Sequence, residues 1–261
     1  FVQFFFPQAH AAIDWSQPVE FLDKELQQVL REREQGRKIV DKLARVRLRD
    51  GREEWVLAHI EVQGDSETEF GRRMYVCNYR IFDRYDRMVA TLVVLADDSP
   101  NWRPDRFDYE VLGCRVGFQF PITKLLDYAE HWDMLEQSKN PFAVVTMAHL
   151  KTKQTKHDPQ ARRMAKWQIV KGLYERGWGK QEVINLFRLI DWMMELPQEL
   201  AIVFRNDLDE LERNSLMPYM TSIERLAKTE GRQEGRQEGL IEAIGLSLEF
   251  KFGEAGTALL D

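Results

Sequence analysis

A change from helical to alternating spacing over residues 38–64 constrains the fold of this chain more than any other feature of its sequence. Hydrophobic and charged residues alternate along "VDKLARVRLRDG", which is typical of a strand with one buried face. Asp50 and Gly51 then form a strong turn signal, and "EWVLAHIEVQG" has the pattern of the returning strand. The spacing therefore predicts a β-hairpin over residues 38–64.

The returning strand carries a polar row and an apolar row, because successive side chains of a strand point to opposite faces. One face carries Leu57, His59, Glu61 and Gln63, and the other carries Val56, Ala58, Ile60 and Val62. Since the second set is wholly apolar, we expect it to face the core and the first set to form the wet face.

The hairpin turn should bring Asp41 close to positions 60–62, so that Asp41 and Glu61 lie side by side. Adjacent carboxylates repel, and a divalent cation such as Mg²⁺ or Mn²⁺ relieves that repulsion. The alternative is an ordinary solvated face that holds no metal. His59, on the same face as Glu61, either packs or reaches a carboxylate or a phosphate.

Helices and a buried strand are predicted around the hairpin. Residues 18–35 and 66–87 have helical spacing, and Phe4–Phe6 are expected to end a helix. The apolar run in "MVATLVVLADD" is typical of a strand covered on both faces, and "FDYEVLGCRVGFQF" predicts one further strand. Parallel pairing across the 66–87 helix would give an α/β fold with a mixed sheet and helices packed on it.

From about residue 121 the spacing is helical throughout. Between two of these helices, "KTKQTKHDPQARR" is the most basic polar stretch. Near the end, "EGRQEGRQEG" places like charges at four-residue spacing, which destabilises an isolated helix. That segment either pairs with another chain, giving a homo-oligomer, or is disordered. The expected domains are a core at 14–150, a helical extension at 151–226 and a charged tail at 227–261.

Composition excludes several functional classes. The chain has a formal net charge of -6, which argues against a broad basic coat for nucleic acid but allows a local basic patch. Its two cysteines, Cys77 and Cys114, fit neither a disulfide framework nor a cysteine-rich zinc site. Together with the lack of a membrane-length apolar run, this indicates a reducing, cytoplasmic location and no membrane partner.

Several blocks, in order, resemble the recombination-promoting nuclease and transposase-like family of bacteria, a branch of the PD-(D/E)XK nuclease superfamily. The blocks are "EFLDKELQQ", "DKLARVRLRDGREEWVLAHIEVQG", "RRMYVCNYRIFDRYDR" and "EGRQEG", and the resemblance runs from about residue 14 to the tail. It implies a restriction-endonuclease-like mixed-sheet core and a metal-dependent DNA endonuclease linked to recombination or mobile elements.

The resemblance also implies roles for individual residues. Asp41 takes the place of the family's first acid, Glu61 that of the acid in (D/E)XK, and Gln63 that of the lysine. Mg²⁺ or Mn²⁺ would be held by Asp41, Glu61 and the main-chain carbonyl of Val62. The remaining implied residues are Glu25 as an additional acid, with Glu20 as the alternative, and Arg73 and Tyr79 as DNA contacts.

Gln63 departs from the superfamily pattern, because an amide can position a water molecule but supplies no positive charge. The missing cation could come from Lys42 or Arg73, and Arg73 is the better candidate because Lys42 points to the opposite face. A second hypothesis is therefore a weak or inactive family member that binds DNA or protein. A third is a helical assembly protein that forms oligomers through its tail.

Overall fold

The computed structural model of the protein describes residues 1–22, 40–61 and 67–214, and the chain divides into two compact units after Gly172. The first unit opens with two short helices, α1 (Val2–Phe5) and α2 (Pro7–Ala12), so the expected helix ending at the phenylalanines is confirmed as α1. The predicted domain limits at 150 and 226 remain a prediction.

The hairpin is present as predicted, over the described residues 40–61. Strand β1 (Glu20–Phe21) precedes β2 (Val40–Arg47) and β3 (Glu53–Glu61), and β2 pairs with β3 antiparallel. At the turn, Gly51 has a φ of 90°, a left-handed conformation that glycine adopts without steric cost. The amide of Arg52 donates to the Asp50 carboxylate over 3.1 Å, which fixes the turn.

The predicted helix at 18–35 is wrong at its start, because Glu20 and Phe21 pair with Arg45 and Ala44 of β2 as a short antiparallel strand. Tertiary pairing has overridden the helical spacing at these two positions. Residues 23–35 of that prediction lie outside the described part of the chain.

A parallel crossover follows the hairpin, as expected. Helix α3 (Phe70–Tyr85) leads to β4 (Val89–Leu95), which pairs parallel with β3. Next come β5 (Arg106–Val111), β6 (Cys114–Gln119) and β7 (Ile122–Lys124), and β7 pairs parallel with β4. The mixed sheet therefore has the strand order β1-β2-β3-β4-β7.

Both faces of β4 are covered over residues 92–95, which explains its continuous apolar run. On one face, Val93 and Leu95 pack with Phe70 and Met74 of α3. On the other, Leu92 and Val94 pack with the N-terminal helices and the segment after β7, in a cluster that also contains Ala96, Phe5, Phe6 and Leu125.

Two expectations for residues 107–124 are wrong. The single predicted strand over 107–120 is a hairpin, β5–β6, because Leu112 and Gly113 both have positive φ, at 51° and 80°, and turn the chain back. The helical region does not begin at residue 121, since Ile122–Lys124 complete the sheet as β7.

Helices follow β7 throughout the rest of the described chain. A 3-10 helix (Leu125–His131) leads to α4 (Trp132–Gln137), α5 (Pro141–Gln154) and α6 (Pro159–Glu175), within which the division between the units falls. The second unit continues with α7 (Lys180–Met193) and α8 (Gln198–Asn214). Among the helices of residues 1–22 and 67–214, none is long and apolar enough to cross a membrane.

Candidate nuclease site

The hairpin register brings the two predicted acids near each other in the backbone. Asp41 pairs with His59, and Glu61 lies two residues farther along β3. Residues at this diagonal spacing share a face of an antiparallel pair, with Cα atoms about 7–8 Å apart. The sequence predicted that Asp41 lies close to positions 60–62, and the observed register places it opposite His59.

The next strand of the sheet has one face covered by α3. Val93 and Leu95 of β4 pack with Phe70 and Met74 of that helix. In the backbone register these two residues are the partners of His59 and Glu61. The expected wet face of Leu57, His59, Glu61 and Gln63 stays a prediction.

Glu61 is the last described residue of β3 and lies at the carboxyl edge of three parallel strands. Glu61 of β3, Leu95 of β4 and Lys124 of β7 form one row of paired residues. In open α/β sheets, ligands bind outside the carboxyl ends of the strands. The described backbone therefore places the candidate acid at an edge of the sheet suited to ligand binding.

A buried ion pair lies at this same edge. The ammonium of Lys124 donates to both carboxylate oxygens of Asp97, over 2.8 and 2.6 Å, and to the main-chain oxygen of Trp102, over 3.0 Å. Both side chains have no exposed area, and the amide of Ser99 donates to Asp97 over 2.9 Å. All three ammonium protons are thus used, so Lys124 anchors the loop after β4.

Sequence reasoning missed this pair. Asp97 carried one signal, since an acid directly after the apolar run of β4 marks the end of a buried strand. Lys124 carried none, because it was assigned to a helical region in which lysine is ordinary.

Two residues of α5, His149 and Lys153, contact the segment that directly follows β4. His149 is nearly buried and hydrogen-bonds to the main chain of Ala96, the residue that follows β4. Burial and the nearby charge of Lys153 lower the pKa of His149, so the imidazole is neutral at neutral pH. Lys153 pairs with Asp98 over 3.0 Å.

Arg73 and Tyr79, the expected DNA contacts, differ in accessibility. The Arg73 guanidinium pairs with Glu67 over 3.0 Å, lies 5.0 Å from the Phe70 ring centroid and has a side chain only 11% exposed. Tyr79 is half exposed, and its ring stacks on that of Tyr75 at 6.3 Å. Tyr79 can reach a ligand from solvent, whereas Arg73 is held by a carboxylate.

Several expected site residues lie outside the described part of the chain: Glu25, Val62 and Gln63. Glu20, the alternative for the additional acid, forms a salt bridge with Arg45 across the β1–β2 pair. Its carboxylate is therefore engaged away from the position of Asp41.

The residue types suit a hard divalent ion. Carboxylate oxygens are the donors preferred by Mg²⁺ and Mn²⁺, and the diagonal positions of Asp41 and Glu61 offer two of them. In the described ranges, the structure gathers no group of three or more His, Cys, Asp or Glu side chains that could hold a metal ion.

Comparisons with known proteins gave no match for this chain. No protein-family model matches the chain, and neither a curated protein nor a solved structure matches it.

Proposed function

We propose that this chain is a metal-dependent phosphodiesterase acting on DNA, with a restriction-endonuclease-like core around the mixed sheet. Within that class, we propose an endonuclease of the recombination-promoting nuclease and transposase-like type, acting with Mg²⁺ or Mn²⁺. DNA is the proposed partner, and the cytoplasm the proposed location.

The diagonal register of Asp41 and Glu61 supports the proposal most directly. Two acids on adjacent antiparallel strands, followed by a helix and a parallel strand, form the arrangement that the family resemblance implies. Glu61 additionally lies at the carboxyl edge of the sheet, the edge outside which ligands bind in open α/β sheets.

Each proposed residue has a distinct task. Asp41 and Glu61 supply carboxylate oxygens on one face of the hairpin, and Gln63 orients a water molecule through its amide. The bound divalent ion would polarise the scissile phosphate and lower the pKa of the attacking water. Lys124 cannot replace the missing lysine of the motif while its three protons are held by Asp97 and Trp102.

The direct test is cleavage of supercoiled plasmid with Mg²⁺ or Mn²⁺. Asp41→Asn and Glu61→Gln should each slow cleavage by about 100-fold or more, because each removes a charged ligand while preserving side-chain size. Gln63→Lys should retain or raise the rate, since lysine adds positive charge beside the developing phosphate charge.

Glu110→Gln is the matched control, because Glu110 is an exposed acid on β5 paired with Arg115. It should cleave at the wild-type rate. Cleavage that survives both acid substitutions, or that proceeds in excess EDTA, would place the chemistry elsewhere in the chain.

A second candidate function is a catalytically weak or inactive relative that binds DNA or protein. The engagement of Arg73 by Glu67 favours it, because the arginine expected to replace the motif lysine is already paired. Calorimetry with Mn²⁺ separates the two functions. Metal binding that is lost in Asp41→Ala supports the nuclease, and DNA binding without any metal binding supports the second function.

A further inference from the structure

The last turn of α5 and the residues that connect it to α6 concentrate positive charge in an acidic protein. Residues 151–158, which we call the basic turn, contain Lys151, Lys153 and Lys156 and a single acid, Asp158, whereas the whole chain has a net charge of -6. Lys156 and His157 are exposed to solvent. The basic turn therefore has a local charge opposite in sign to that of the whole chain, and such a surface attracts anionic ligands.

Internal hydrogen bonds hold the basic turn in one conformation. The Thr155 hydroxyl donates to the Lys151 carbonyl over 2.6 Å, and the Arg162 guanidinium donates to the carbonyls of Thr152 and Thr155, each over 3.3 Å. A turn held in one conformation loses less conformational entropy on binding a ligand than a flexible turn does.

The only acid of the basic turn, Asp158, caps the helix that follows the turn. The Asp158 carboxylate accepts from the amide of Ala161 over 2.9 Å at the start of α6. Its charge therefore faces the positive end of that helix and stabilises the start of α6.

Two contacts fix the basic turn beside the candidate nuclease site. Lys153 pairs with Asp98 over 3.0 Å, and His149, one turn earlier on α5, hydrogen-bonds to the main chain of Ala96. Ala96 directly follows Leu95, the residue that pairs with Glu61. The basic turn is thus anchored within three residues of the row that contains the candidate acid.

We propose that the basic turn binds the phosphate backbone of DNA through Lys153 and Lys156. This inference rests on the proposed function and names the surface that holds the substrate. Breaking the pair between Lys153 and Asp98 should cost little free energy, because surface ion pairs contribute little stability. The two side chains are 33% and 61% exposed. A phosphate can therefore replace Asp98 as the partner of Lys153.

A purely structural role for these lysines makes a different prediction. Cations in the last turn of α5 complement the negative end of its helix dipole, and Lys151 and Lys153 occupy that position. In that case their loss would lower thermal stability slightly and leave DNA affinity unchanged.

The test is equilibrium binding of a fluorescent duplex to the full chain in EDTA, across a range of salt concentrations. Lys153→Gln/Lys156→Gln should weaken binding at least tenfold at low salt. It should also reduce the slope of log affinity against log salt by about 2, since each lost phosphate contact removes about 0.9. The control, Lys171→Gln/Lys180→Gln, makes the same charge change at two exposed lysines on α6 and α7 and should retain the wild-type slope.

Asp98→Asn provides an independent test, because it removes the carboxylate that competes with phosphate for Lys153. It should raise DNA affinity in the wild-type background and have no effect when Lys153 is already glutamine. Equal losses in the test and control variants, an unchanged salt slope, or no DNA binding by the wild-type chain at low salt would each overturn the inference.

The binding assay tests this inference and the plasmid assay tests the proposed function, so each proposal can be overturned without the other. DNA binding through the basic turn without cleavage would overturn the nuclease and leave this inference standing. If the wild-type chain cleaves DNA and the Lys153→Gln/Lys156→Gln variant binds DNA normally, this inference would be overturned and the nuclease would stand.

Discussion

Asp97 and Lys124 show at the residue scale how the fold uses charge. Neither side chain has exposed area, and every ammonium proton of Lys124 has an acceptor. Transfer of two charges from water to an interior costs several kcal/mol each, and close geometry is needed to offset it. The pair also connects the ends of β4 and β7 to the main chain of Trp102, so its loss should affect the whole carboxyl edge.

We predict that Asp97→Asn and Lys124→Met each lower the free energy of unfolding by about 3–5 kcal/mol, because each leaves one buried charge without its partner. The double variant should lose less than the sum of the two, since no isolated charge remains. Urea unfolding measures all three values. Glu110→Gln, which breaks the exposed pair with Arg115, should cost under about 1 kcal/mol. Additive losses in the double variant would contradict the prediction.

At the scale of elements, α3 sets the position of the β5–β6 hairpin. Gly71 lies buried in the first turn of α3, and a Cβ atom added there would overlap the main-chain oxygen of Arg106, the first residue of β5. One turn later, the Tyr75 ring stacks on Phe107 at 5.2 Å. The helix and the strand can approach this closely only because residue 71 has no side chain.

We predict that Gly71→Ala destabilises the protein by about 1–3 kcal/mol through overpacking, although alanine raises helix propensity by about 1 kcal/mol. Thermal unfolding followed by circular dichroism measures the change. Asp83→Ala, on the exposed side of the same helix, is the control and should be neutral or slightly stabilising. A Gly71→Ala variant as stable as this control would show that α3 and β5 can move apart without loss of stability.

At the scale of the whole molecule, the charged tail is the segment with a predicted role in association between chains. The tail at 227–261 lies outside the described residues, and its like-charge stripes leave two alternatives, a disordered segment or a helix that pairs with another chain, glutamate against arginine. Such pairing would be electrostatic, so salt should weaken it.

We predict that deletion of residues 227–261 lowers the oligomeric state without unfolding residues 14–226. Sedimentation velocity at low and high salt measures the mass, and circular dichroism checks the fold. The full chain at high salt should approach the mass of the truncated one. An unchanged mass after deletion would exclude the tail as the association element.

Local sequence determined the elements whose signals are self-contained. The β2–β3 hairpin follows from alternation and from Asp50-Gly51, and α3 and β4 follow from spacing and a continuous apolar run. The parallel pairing of β3 with β4 also follows, because a helix between two strands favours a right-handed parallel crossover. These signals were enough to predict the mixed sheet and the proximity of Asp41 to Glu61.

Only the tertiary structure decided which face of the sheet is covered, how β1 and β7 complete it, and where buried charge lies. Alternation in one strand indicates two faces but cannot show that α3 packs on one and the N-terminal helices on the other. Two strands are too short to show a hydrophobic periodicity in the sequence, Glu20–Phe21 and Ile122–Lys124. They are strands only because they pair with a neighbouring strand. Lys124 and Asp97 are 27 residues apart and meet because parallel strands end at a common edge.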